Sequence, residues 1–221
     1  MPLKPTKYLL RNAGTSGLQL LTVGLLCCLS TTAEHNNPNP FQQNAGGLAP
    51  RSGPVEKGAT EWSILTGGGT NMPGGISGGN FWTLQGRWGR VLTEPHGPGL
   101  LRGSVEYAFE IVPAMVLSQD GALYGGGINP LILQYNFDSS GNLTPFVQAG
   151  GGMLYLSRKF PAGTFRFNFT PQGGFGAYWR IDPGTSAVFG VRFHHISNSG
   201  LVIFNPGHNA LYIYGGLSWW R

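Results

Sequence analysis

The sequence predicts an all-β fold, an eight-stranded antiparallel transmembrane β-barrel, on three observations. Glycine supplies 37 of 221 residues and charged residues only 10%, a composition that favours turns and strands over helices. Eight extended stretches, at 60–69, 80–93, 100–118, 121–137, 142–157, 165–180, 185–199 and 208–221, are separated by turn chemistry such as Gln119-Asp120-Gly121 and Asp182-Pro183-Gly184. Their side chains alternate apolar and polar. Many also exceed the ~5–6 residues usual in globular strands and approach the ~9–11 of a membrane strand.

Taken in order, residues 1–33 read as a signal peptide. Lys4, Lys7 and Arg11 form a positive start, Leu18 to Leu29 an apolar run, and Thr31-Thr32-Ala33 a small-residue cleavage site. The apolar run is about 12 residues, short of the ~20 that a spanning helix needs. Both cysteines, Cys27 and Cys28, fall inside it, so the mature chain is expected to lack disulfides and thiolate chemistry. Without those three of its 14 cations, against nine acids, the formal charge drops from +5 to +2. A basic nucleic-acid surface has little support. Residues 34–60, rich in Asn, Pro and Gly, read as a flexible periplasmic lead-in, and 61–221 as the barrel.

The third stretch shows the period most clearly. Its odd positions run through Val105, Tyr107, Phe109, Ile111, Met115 and Leu117, and its even positions carry Arg102, Ser104, Glu106 and Glu110. Successive strand side chains point to opposite faces. A soluble sandwich would bury the apolar set; a membrane barrel turns it to lipid and fills a narrow lumen with the polar one. Strand length, even strand number and aromatic pairs near stretch ends, Phe81-Trp82 and Trp219-Trp220, favour the barrel. Parity then assigns Arg87, Arg102, Glu106, Glu110 and Arg192 to a mutually paired interior. The runs Gly67-Gly68-Gly69 and Gly125-Gly126-Gly127 read as bends or close strand packing.

In the seventh stretch the odd positions Ala187, Phe189, Val191 and Phe193 continue into His195 and Ser197. These two polar residues therefore lie on the lipid face. If the last hairpin is symmetric about Val202, Asn209 stands opposite His195, with Cβ atoms ~4.5–5.5 Å apart. Counted from Thr185, His195 lies roughly 33 Å along its strand, or ~25 Å along the membrane normal at a ~40° tilt. With the N-terminus periplasmic, that is the outer-leaflet rim. Polar groups on a lipid face are costly and point to function.

The stretch His195-Ile196-Ser197-Asn198, with Gly200 following and Asn205-Pro206-Gly207 at the turn, resembles the lipid A 3-O-deacylase (PagL-like) and acyloxyacyl-hydrolase family of outer-membrane barrels. The resemblance implies a carboxylic-ester hydrolase acting on lipid A of lipopolysaccharide. Ser197 is then the nucleophile, His195 its base, and Asn198 a contributor to the oxyanion hole. The amide of Gly200 is a further donor that ester chemistry could use. In the family the third catalytic member is a glutamate about fourteen residues after the histidine; here that position is Asn209. Replacing the acid of such a triad lowers turnover by about 10⁴. Asparagine can still orient a histidine, as in Cys-His-Asn sites.

No cofactor and no metal are expected. His194 and His208 share the other face of the hairpin, but two histidines fall short of the usual three or four ligands. The expected partners are lipid A and the membrane, with a homodimer as an open option. The competing reading is a non-catalytic, small structural or adhesive barrel in which His195 and Ser197 form a polar cap at the lipid rim.

Overall fold

The computed structural model describes residues 53–75, 78–201, 203 and 205–221. The span read as a signal peptide, and the lead-in up to residue 52, lie outside the described residues. The strands are β1 (Thr60–Asn71), β2 (Asn80–Val91), β3 (Gly103–Ser118), β4 (Ala122–Phe137), β5 (Leu143–Leu156), β6 (Phe167–Phe169), β7 (Gln172–Asp182), β8 (Thr185–Ile196) and β9 (His208–Trp220). Each pairs antiparallel with its neighbours, and β9 returns to β1 and closes the barrel. Closure pairs each end of the sheet with the other, apart from local register shifts and the interrupted sixth stave, the arrangement by which strands cross a hydrocarbon core. Among the described residues no helix is long and apolar enough to cross a membrane.

Where one sixth stretch is expected, two strands occur, but both pair with β5 in a single register: Phe169 faces Met153 and Gln172 faces Gly150. They form one stave interrupted at Thr170-Pro171, so the barrel has eight. Pro171 has no N–H to give the ladder, while the Thr170 N–H still reaches Gly152 O at 2.9 Å.

The outward face carries Leu131, Leu133, Val147, Phe175, Phe189, Phe193 and Ile213, all exposed. Trp82, Tyr124 and Tyr155 stand outward toward one end; Trp62, Trp179 and Trp219 stand outward toward the end that holds the termini. Two aromatic girdles around an apolar band are the membrane signature of such barrels.

Inside, Arg87 contacts Glu61 at 2.8 Å, Glu106 at 3.0 Å and Glu110 at 3.1 Å. Arg192 contacts Glu110 at 2.7 Å and lies over the Tyr214 ring at 4.4 Å. Gln134, Gln148 and Asn129 complete the network. Two expectations about the lumen need correction. Arg102 precedes β3, is half exposed, and pairs with Asp138 at 3.0 Å outside the lumen. Met115 and Leu117 face inward, because a register shift between Val112 and Met115 reverses the parity of β3 at Pro113.

Residues 53–60, the described part of the span read as a flexible lead-in, are tied to the barrel, and Thr60 already opens β1. Asn136 Nδ2 donates to Pro54 O at 2.7 Å, Ser104 Oγ donates to Val55 O at 2.6 Å, and Ala59 is buried.

Candidate active site

The β8–β9 ladder runs without a register shift from Thr185↔Trp219 to Ile196↔His208 and sets His195 opposite Asn209. Beyond β8 the pairing continues for one bridge: Phe169 N–H donates to Ser197 O at 2.7 Å, and Ser197 N–H to Phe169 O at 3.1 Å. Ser197 thus keeps strand geometry, two residues after His195 and on the same outward face.

Asn209 is oriented from a distant loop. Its Nδ2 donates toward Pro73 O at 3.5 Å, and its backbone O accepts from Met72 N–H at 2.8 Å. That leaves Oδ1 for the imidazole, 2.6 Å from His195 Nδ1. Because an amide oxygen only accepts, the pair places a proton on Nδ1, so that the neutral form of the ring is the tautomer with its lone pair on Nε2. The other side of the ring rests on Gly207, whose φ is +66°; a Cβ there would lie 2.7 Å from His195 Cε1. Glycine at 207 therefore serves both the left-handed backbone and the space the ring occupies.

Ser197 is largely covered and opens on an outer-wall groove of about 460 Å³. Leu131, Met153, Phe169 and Pro171 supply its apolar lining, and Ser199 stands at its polar edge. Gly151 keeps the groove clear, since a Cβ there would sit 3.2 Å from Pro171 Cα. Among the described contacts no hydrogen bond joins the His195 ring to Ser197 Oγ. Alternate residues of a strand stand ~6.6 Å apart along its axis, and catalytic bonds are often long before substrate arrives.

The segment after Ser197 is a compact turn. Gly200 N–H donates to Asn198 Oδ1 at 2.9 Å, Asn198 N–H to Asn205 Oδ1 at 3.1 Å, and Leu201 N–H to Asn198 O at 3.1 Å. Asn198 is fully buried, and Ser199 and Gly200 have φ of 54° and 81°. The two residues expected to donate to an oxyanion therefore spend the Gly200 amide on each other. The Ser199 N–H, beside the groove, has no partner among the described residues.

A family description of lipid A 3-O-deacylase (PagL) matches residues 73–218. The chain belongs to that family. The PagL-family match takes in the interrupted sixth stave, the seventh stave and the last strand as far as Ser218. Among solved structures, the chain is similar to the outer membrane enzyme PagL at 16% identity, with a TM-score of 0.51, covering 71% of this chain and 97% of that one. It is also similar to the outer membrane protein OprG from Pseudomonas aeruginosa, at 8% identity and a TM-score of 0.49, covering 76% and 97%. No curated protein sequence matches. Family and fold together make this an outer-membrane barrel of the lipid A deacylase type, a hydrolase family.

Several participants escaped the sequence reading. Pro73, which anchors Asn209, lies 136 residues away, and no local pattern links them. Gly207 was visible as part of an Asn-Pro-Gly turn, without a sign that its missing side chain makes room for the ring. Pro171, at the break in the sixth stave, was a signal that period-2 reading passed over. His194 and His208 are both buried, and among the described residues no group of three His, Cys, Asp or Glu could hold a metal.

Proposed function

We propose that the chain is a serine esterase that removes an acyl chain, the 3-O-linked one, from lipid A in the outer leaflet, with Ser197 as nucleophile and His195 as general base. The observation that carries this reading is the outward-facing His195–Asn209 pair. Its bond from Nδ1 to Oδ1, at 2.6 Å, holds the tautomer whose Nε2 can accept a proton. An acyl chain would remain among lipids in the groove beside Ser197, and its ester carbonyl would stand at the rim.

In this scheme Ser197 Oγ attacks the ester carbon while its proton passes to His195 Nε2. The tetrahedral oxyanion takes hydrogen bonds from the Ser199 N–H and from the Asn198–Gly200 turn once the ligand rearranges it. Collapse returns the proton to the departing sugar oxygen and leaves an acyl-serine. Water, deprotonated by the same nitrogen, releases the fatty acid and restores Ser197. Asn209 orients the imidazole but adds no negative charge against the imidazolium, so the chain is a slow member of its class. No cofactor enters.

Mass spectrometry of lipid A from cells expressing the chain tests the reading. Loss of a 3-linked acyl chain with the wild type, abolished by Ser197→Ala, is the expected result. The second reading, a non-catalytic barrel, is favoured by the absence of a Ser197–His195 bond and by the neutral residue at 209. It requires unchanged lipid A in the wild type, in Ser197→Ala and in Asn209→Glu alike.

A further inference from the structure

At the opposite end of the barrel wall from Ser197, three neighbouring ladders align outward side chains into rows. One row runs Trp219, Trp62, Trp88, Phe109 across β9, β1, β2 and β3. The row nearer the membrane centre is Leu217, Ile64, Gly86, Ile111. Gly86 sits at a register shift in β2, and a Cβ on it would already lie 3.2 Å from Ile111 Cγ1. Its lack of a side chain opens a notch between Ile64 and Ile111. The resulting groove has a volume of about 620 Å³, within the ~300–1,000 Å³ of small-ligand sites.

Next to the tryptophans, toward the termini, comes a row containing two cations. Arg90 is exposed and pairs in register with Thr60, and its Nη1 reaches Thr60 Oγ1 at 3.4 Å. Arg221 is exposed and is held to the same Thr60 by backbone bonds of 2.7 and 2.9 Å. Neither arginine has an ion-pair partner among the described residues, in contrast to Arg87, Arg102 and Arg192. Along β8, the level of Trp219 is that of Thr185, ~25 Å along the normal from His195. The tryptophan row is thus the second interface of the membrane, and the arginines stand at its headgroup level.

An ordinary lipid contact needs only an apolar wall. An apolar notch lined by aromatics, with two arginines in the next row that have no ion-pair partner among the described residues, suits an acyl chain continuous with a negatively charged phosphate. We propose that this groove is a binding site for an anionic glycerophospholipid of the leaflet opposite Ser197, with a chain against Gly86 and the phosphate between Arg90 and Arg221. The site is independent of the deacylase reading, because it shares no residue with the other groove.

The full-length chain, folded in detergent, is titrated with phosphatidylglycerol or phosphatidylcholine of identical chains, and bound lipid is counted by native mass spectrometry. The wild type is expected to hold one phosphatidylglycerol with about tenfold preference over phosphatidylcholine, the scale of one charge-assisted hydrogen bond. Arg90→Gln with Arg221→Gln abolishes the preference and leaves the deacylase readout unchanged. Gly86→Trp fills the notch and lowers retention of both lipids. Where heat-dependent gel mobility shows that Gly86→Trp does not fold, the surface arginine pair decides alone. Equal retention of the two lipids by the wild type, or a preference surviving in the double arginine variant, overturns the proposal.

Discussion

The inside and the outside of this barrel hold polar groups in opposite ways. In the lumen every carboxylate is shared: Glu110 alone accepts from Arg87, Arg192 and Asn129. Such groups are buried, multiply bonded and unable to move without leaving a charge unpaired. On the wall, His195 has a single ring hydrogen bond, to Asn209, and the Ser197 hydroxyl has none among the described residues. The lumen spends polarity on holding the staves together, whereas the wall keeps a lone pair and a hydroxyl in reserve. A residue of the second kind should be removable without loss of the fold, and one of the first kind should not.

Ser197→Ala presses that contrast hardest. Deacylation should fall by about 10³-fold or more, while the urea midpoint of the purified barrel stays within error of the wild type. A large loss of stability would mean that Ser197 belongs with the structural polar groups. Glu110→Ala is the converse test. It removes the carboxylate that alone pairs with Arg192 among the described residues and should cost about 3–5 kcal/mol in equilibrium unfolding, with activity per folded molecule preserved. Glu110→Leu combined with Arg192→Met should recover much of the loss, because no lone charge remains in the lumen.

The same contrast explains what could be read from the chain. The pairing of His195 with Asn209 was legible because β8 and β9 pair without a bulge, so counting from position 202 to 195 and 209 matches the observed ladder. The lumen was legible only in part. Parity located Arg87, Glu106, Glu110 and Arg192, but it misplaced Arg102, which lies before its strand begins, and it missed the reversal that the bulge at Pro113 imposes on Met115 and Leu117. Glu61, a partner of Arg87, went unassigned, since the short first stretch gave too few polar positions to define a face. The turn from Asn198 to Leu201 depends on Asn205 meeting a backbone amide across the loop. No period or spacing encodes such a contact.

Asn209 is where the two regimes meet, because a carboxylate there would place a lumen-style charge on the wall. Asn209→Glu should raise turnover by roughly 10- to 100-fold, a fraction of the ~10⁴ that separates acid from amide in a triad. The gain should appear in kcat with KM little changed, since the added charge meets the imidazolium only as the reaction proceeds. No gain would mean that the Pro73 carbonyl, now facing a carboxylate oxygen in place of an N–H donor, turns the new side chain away from the ring.

Gly207→Ala should have the smallest effect. The added methyl would lie 2.7 Å from His195 Cε1 and occupy a φ of +66°, so either the ring or the turn must shift. A displaced ring loses its bond to Asn209, and kcat should fall by about tenfold with a stability cost near 1 kcal/mol. Comparing Gly207→Ala with Asn209→Leu separates the causes. If both lower kcat equally and their combination adds nothing, glycine acts by holding the imidazole against Asn209. If the effects multiply, the turn matters to the site in its own right.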